Sequence, residues 1–165
     1  KSSRFAALML KNQAMNGAMV EAMQSVAKSL RIELHDFYYE KSDDIPQIFA
    51  AFVKQKIRGL IVQENPVIGA YLKEVVQLTL KHRIPSIGFG SYADVGAPLA
   101  YGVDLKVFAR RAGYFVNRIL KGEKPGDIPF ERATRFEMII NQKAVKTLGM
   151  TISPAINVQA TRIID

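Results

Sequence analysis

A chain of 165 residues, 48% hydrophobic and 23% charged, is sized for one domain with a real core and is too apolar for disorder. The absence of cysteine excludes disulfides, thiolate catalysis and cysteine metal sites. The formal charge of +8 raises nucleic-acid binding, but the Lys and Arg residues are scattered and no recognition-helix or zinc-finger spacing accompanies them, so no nucleic-acid partner is expected.

Phe5 to Leu10 (FAALML) is a short apolar run, as for a strand covered on both faces. A polar loop, Lys11 to Gly17, follows, in which Asn16 is placed to cap the next helix. That helix carries Met19, Ala22, Met23, Val26, Ala27 and Leu30 on one face. The spacing favours a buried stripe over an adaptable methionine-rich binding surface. Ile32 to Tyr38 alternates as a second strand, and His35 on it reads as a structural or surface histidine. After the turn and cap residues Glu40 to Asp44, Pro46 in a first turn opens a helix through Lys56, buried along Ile45, Ile48, Phe49, Phe52 and Val53.

Gly59 to Val62 predicts a third strand, broken by Gln63-Glu64-Asn65-Pro66. A helix from about Val67 to His82 is stopped by Arg83-Ile84-Pro85, and Ser86 to Gly88 begins a fourth strand. Gly88 to Ala93 formally matches the dinucleotide pattern G-x-G-x-x-A. It is rejected because Asp94, Gly96 and Pro98 read as a prolonged loop where that pattern needs an immediate helix and a later acidic residue. Leu99 to Tyr101 predicts a fifth strand, and the Tyr101-Gly102-Val103-Asp104 turn launches an amphipathic helix over 105–120. Asp104 is its N-cap, Gly122 suits a left-handed residue beyond its end, and Pro125 forbids continuation. A strand from Phe136 to Ile140 then feeds a short helix closed by Gly149.

Alternation of strands and helices with short connections predicts one α/β domain over 1–165. Its expected form is an open, mainly parallel sheet with helices on both faces, one flavodoxin-like or Rossmann-like lobe. The ligand position on such a sheet is the crevice at the carboxyl ends of the strands. The residues just after each strand share that rim, and Asn12, Gln13, Glu64, Asn65, Phe89, Ser91, Tyr92 and Asp104 are the candidate ligand-binding set. Amides, carboxylates, a hydroxyl and aromatic rings suit a small polar solute. For any single member, cap or turn chemistry is the competing reading, and Asp104 is the clearest instance.

YGVDL, RRAGYFVNRILKGEKPGDIPFE and RFEMIINQKAVKTLGMTISPAI resemble the C-terminal half of the bacterial ABC-transporter substrate-binding family. The resemblance implies a periplasmic or lipid-anchored receptor of two α/β lobes, like type I periplasmic binding proteins, with the N-terminal lobe not contained in these residues. It implies a small solute such as an amino acid held between the lobes, and a membrane permease as partner of the full-length protein. It aligns the loop from Lys11 to Asn16, the Gln63 to Pro66 loop and the Tyr101 to Asp104 turn with positions facing the interlobe cleft. Where the family often has Asn-Pro after the first strand this chain has Lys11-Asn12-Gln13, and where it often has Asp-Pro after the third it has Asn65-Pro66. The helix over 105–120 is expected to pack on a partner lobe or subunit; in the lone chain it either folds back on its own sheet or makes a homodimer. The second functional reading is the ligand-sensing domain of a signalling or transcriptional regulator.

No enzyme is expected. GxSxG, P-loop and HExxH patterns are absent, and His35 and His82 lie apart. No cofactor or metal site follows from the sequence. It also lacks a run of membrane-spanning length and a leader-like start, and because it opens at Lys1 without Met it is expected to be a processed or trimmed product.

Overall fold

Short apolar runs bounded by turn residues can satisfy their backbone groups only across a ladder, and in the computed structural model each of them is a strand. The structure describes residues 3–165; Lys1, on which the expectation of a trimmed start rests, lies outside them. The strands are β1 (Arg4–Leu10), β2 (Glu33–Tyr39), β3 (Gly59–Val62), β4 (Ser86–Gly88), β5 (Leu99–Val103), β6 (Phe136–Asn141) and β7 (Arg162–Ile164). The α-helices are α1 (Asn16–Ser29), α2 (Asp44–Gln55), α3 (Leu72–Lys81), α4 (Gly90–Asp94), α5 (Leu105–Leu120), α6 (Gln142–Thr147) and α7 (Pro154–Gln159).

Among the described residues the sheet has seven strands in the order β2-β1-β3-β4-β5-β6-β7. β1 to β5 are mutually parallel, β6 runs antiparallel to β5, and β7 is parallel to β6. This is the expected open, mainly parallel α/β sheet. Right-handed crossovers place α1 on one face and α2 and α3 on the other. Side-chain alternation agrees. Ala6, Leu8, Leu10, Leu60 and Val62 enter the main core with Ile45, Phe49, Phe52, Leu72, Val75 and Val76 of α2 and α3. Ala7, Met9, Ile61, Ile87 and Tyr101 point to the α1 side.

Several local expectations are corrected. Asn16 does not cap α1: it is the first helical residue, its side chain is buried, and Met15 holds the cap position. Val26, Leu30 and Val53 are exposed because the apolar stripes are wider than the sheet beneath them. A 3-10 turn, Ile68–Tyr71, precedes α3 within the single helix expected there. A helix does begin directly after Phe89, against the reason given for rejecting the glycine pattern, though α4 spans only 5 residues. Tyr101 to Val103 is strand, not turn, because β6 supplies ladder partners that no local pattern reveals. The sequence reading contained neither α7 nor β7.

α5 forms as expected. The Asp104 carboxylate accepts from the backbone N–H groups of Lys106 and Val107 at 3.0 and 3.1 Å, and Gly122 follows at φ 96°. None of its described residues is buried. It stands off its own sheet as an arm, with the return segment 121–135 held beside it by Arg111–Glu131 and Arg118–Glu123 ion pairs.

Candidate ligand crevice

Parallel strands end together, so the loops after β1, β3, β4 and β5 meet on one rim, and a buried amide network fixes their spacing. Gln63 accepts from the backbone N–H of Leu10 at 3.1 Å and donates to Asn16 Oδ1 at 2.9 Å. Asn16 in turn donates to the Leu10 carbonyl at 2.8 Å. Three chain segments are thereby tied in a dry environment, where an unpaired amide would cost about 1–3 kcal/mol. Beside it, the Asn65 side chain accepts from the Tyr39 hydroxyl and from the backbone N–H groups of Val67 and Ile68.

This frame borders a cavity of about 310 Å³ on the α1 side. Ala7, Met9, Ile61 and Ile87 form its floor, Met19 and Met23 one wall, and Gln63, Glu64, Phe89 and Tyr101 its polar and aromatic mouth. Tyr101 is 56% exposed and stacks on exposed Phe136 of β6, with ring centroids 5.8 Å apart and planes 11° from parallel. Offset aromatic pairs of this kind present a flat face to a further planar group. At the outer rim, Lys11 pairs with Glu40, which raises the lysine's affinity for its proton. Asp44 accepts from the backbone N–H groups of Glu40 and Lys41, which hold its carboxyl below the usual range.

The predicted residues divide. Asn12 and Gln13 are exposed at the rim, Asn12 in a left-handed turn at φ 59°. Glu64 and Phe89 line the cavity, Glu64 exposed and Phe89 buried. Asn65 turns inward and spends its oxygen on the frame. Ser91 is exposed on α4, which packs through Tyr92 and Ala93 on the face away from the cavity. Asp104 is engaged as the cap of α5.

Tyr92 needs correction as a rim residue. Its side chain is fully buried and its hydroxyl bonds to Ser86 Oγ at 2.9 Å, and burial pushes its pKa up to about 12. The helical turn that begins at Gly90 points it into the core. The candidate set left out Asn16, Gln63 and Tyr101, although the resemblance aligned their loops with the cleft, and it missed Phe136. Gln63 was visible as a rim amide, but the pairing of Tyr101 with Phe136 depends on the β5–β6 register, in which Tyr101 lies opposite Met138 and Val103 opposite Phe136. The methionines set down as core are only half-buried and face the cavity. Among the described residues there is no cluster of His, Cys, Asp and Glu fit to hold a metal ion, and no helix long and apolar enough to cross a membrane.

Comparison with known proteins bears on the fold and the family. An uncharacterized protein of Rickettsia prowazekii (strain Madrid E) is 29% identical over 126 residues, which are 76% of this chain and 41% of that one. A conserved domain protein from Vibrio cholerae superposes with TM-score 0.85 at 22% identity, over 98% of this chain and 54% of that chain. The ABC domain from Streptococcus pneumonia, solved in complex with L-Trp, gives TM-score 0.85 at 20% identity, over 98% and 56%. The chain thus spans about half the length of the proteins it matches, and corresponds in fold to one half of those chains. The family model described as ABC transporter substrate binding protein matches residues 8–164, and the chain belongs to that family.

Proposed function

We propose that the chain is one lobe of the solute receptor of an ABC importer, and that its crevice takes an amino acid with an aromatic side chain. The cavity at the strand ends carries this reading, because it combines a ring-sized apolar interior with an exposed aromatic face and one free carboxylate. Tyr101, Phe136 and Phe89 suit an aromatic ring, while Glu64 and the rim amides Asn12 and Gln13 suit an ammonium and a carboxylate. The complex of the Streptococcus relative with L-Trp makes tryptophan the first ligand to try.

A crevice open along one side offers only part of the contacts a ligand needs. In this reading the other wall comes from a second lobe, reached by the arm of α5, and closure of the two traps the solute. The receptor works outside the cytoplasm and delivers to a membrane permease.

These 165 residues contain no tryptophan, so the indole fluorescence of added L-tryptophan, excited beyond the tyrosine band, is read against no indole of this lobe. The expected result is weak or no binding by the 165-residue chain as a monomer and tight binding once a second lobe is present. Sub-micromolar binding to the lone monomer would overturn the two-wall reading. Failure of the two-lobed receptor to bind any aromatic amino acid would overturn the ligand class.

A further inference from the structure

The crossover helices α1, α2 and α3 run against the strands they join, so all three end where the parallel strands begin, at the end of the sheet opposite the crevice. They end alike. In each, the residue beyond the last turn is left-handed: Arg31, Lys56 and Arg83 lie at φ 54°, 58° and 52°. Its N–H returns to a carbonyl of the helix end, as does that of the isoleucine after it, Ile32, Ile57 or Ile84. Glycine is the ordinary residue at that position, because a Cβ there crowds the backbone. The chain uses glycine at two other caps of this form, Gly122 after α5 and Gly149 after α6, and puts a cation at the three gathered here.

Complementing the helix ends does not account for that choice. A cation in the last turn answers the negative pole of a helix, and Lys28, Lys54 and Lys81 already stand there. Together with Arg58 these cations are all exposed, and among the described residues none of them is in an ion pair. Glu33 is the single carboxylate in the connections 28–33, 54–59 and 81–86, and it pairs with Arg4. Basic residues that are scattered along the sequence are thus collected at one end of the fold. Register sets the level of that end. Arg4 lies opposite Glu33, Phe5 opposite Gly59 and Leu60 opposite Ser86, so the four strands start nearly level and the loops before them form one broad front.

We infer that this front docks on an anionic lipid bilayer. Its cations are long, flexible and spread across several strands and helices, which suits a plane of mobile negative headgroups better than a single bound anion. Leu30 and Val53 are exposed among them, apolar groups that gain by entering a membrane interface and gain nothing on a polynucleotide. The three connections hold no phenylalanine or tyrosine to stack a base, and none of the three helices offers its amino end to a phosphate. Each cation brought to such a bilayer strengthens binding about fivefold at low salt. The crevice, at the other end of the sheet, then points away from the lipid and stays open to solute. The inference does not depend on which solute that is.

The test floats the 165-residue chain with phosphatidylcholine vesicles that contain either no phosphatidylglycerol or about 30% of it. The expected result is flotation with the anionic vesicles only, lost as salt rises from about 0.1 M to about 0.5 M. Arg31→Gly, Lys56→Gly and Arg83→Gly combined should weaken binding about 100-fold while the chain melts no lower than the parent, since glycine suits all three positions. Lys73→Gln, Lys106→Gln and Lys146→Gln combined remove the same charge elsewhere and should weaken binding less than about threefold. Failure to float with anionic vesicles, or equal flotation with neutral ones, overturns the inference. So does an equal loss in both triple variants, which would leave net charge as the cause, or a glycine variant that melts below the parent. A DNA duplex that binds the parent more tightly than the vesicles do, and that the glycine substitutions release, would overturn the bilayer in favour of nucleic acid.

Discussion

The Tyr39 hydroxyl donates to Asn65 Oδ1 at 3.0 Å, and the same oxygen receives the backbone N–H groups of Val67 and Ile68 at 3.1 and 2.9 Å. One amide oxygen thus joins the end of β2 to the loop after β3 and opens the turn that leads into α3. The oxygen accepts three times, while the amide nitrogen of the same side chain donates to the Gln63 carbonyl at 3.2 Å, so the acceptor carries most of the role and the donor a smaller part. Asn65→Ala orphans a buried phenol and two backbone amides and should cost about 2–3 kcal/mol. Asn65→Asp keeps the acceptor but gives up the bond to the Gln63 carbonyl, so it should lose less than Asn65→Ala at neutral pH and lose further ground in acid as the new carboxylate protonates. Thermal melts of the two variants at neutral pH check the contrast; equal losses would contradict it.

Charge placed on α5 should leave the lobe intact. Because none of its described residues is buried, Phe108→Asp and Val116→Asp remove no core contact. At high dilution their unfolding free energies should fall within about 0.5 kcal/mol of the parent. Denaturant melts with an unchanged m-value would show this. A comparable change at Phe49, which points from α2 into the core and is fully buried, should prevent folding.

Tyr92 sets an alkaline limit. Its folded pKa lies at about 12, above that of an unfolded tyrosine, so the unfolded chain gives up the proton first. The stabilisation is therefore complete below about pH 10 and is lost progressively as pH rises toward 12. Burial also raises the pKa of Tyr39, which adds in the same direction. Tyr92→Phe should flatten the fall across that window while losing about 1 kcal/mol at neutral pH from the Ser86 hydrogen bond. Melting temperature against pH for both proteins is the measurement.

The aromatic mouth should discriminate rings. In a receptor with both lobes, Tyr101→Ala should weaken L-tryptophan about threefold to tenfold, the value of one lost aromatic contact. Tyr92→Phe should leave affinity unchanged, since that ring is sealed in the core. Indole fluorescence titration separates the two.

The return segment of the arm should loosen in acid. Arg111 lowers the Glu131 pKa, so the pair's contribution is present above the ordinary carboxylate range and is lost as pH falls through the lowered folded value. Glu131→Gln should abolish this pH dependence in hydrogen exchange of residues 123–135. Both side chains are substantially exposed, so salt should weaken the effect as well.

Much of the crevice was legible because its cues are local. Gln63, Glu64, Asn12 and Gln13 fall directly after or close behind short continuous apolar runs, whose ends mark strand ends in the sequence itself. Tyr92 was misassigned because a loop and a single helical turn look alike over so few residues, and only the turn sends that ring inward. Tyr101 and Phe136 are far apart in the chain and meet through an antiparallel ladder that no short window contains.

The amino-acid sequence by itself determined the α/β alternation, the apolar strands, the Asp104 and Gly122 boundaries of α5 and the polar character of the rim. These follow from side-chain periodicity and from backbone groups that must be satisfied nearby. The tertiary structure alone decided that α5 stands off its own sheet with an apolar edge exposed, that Tyr92 is sealed in the core, and that β6 runs antiparallel to β5 and so brings Phe136 beside Tyr101. Amphipathicity states that a face must be covered; the path of the chain through space settles which surface is left to cover it.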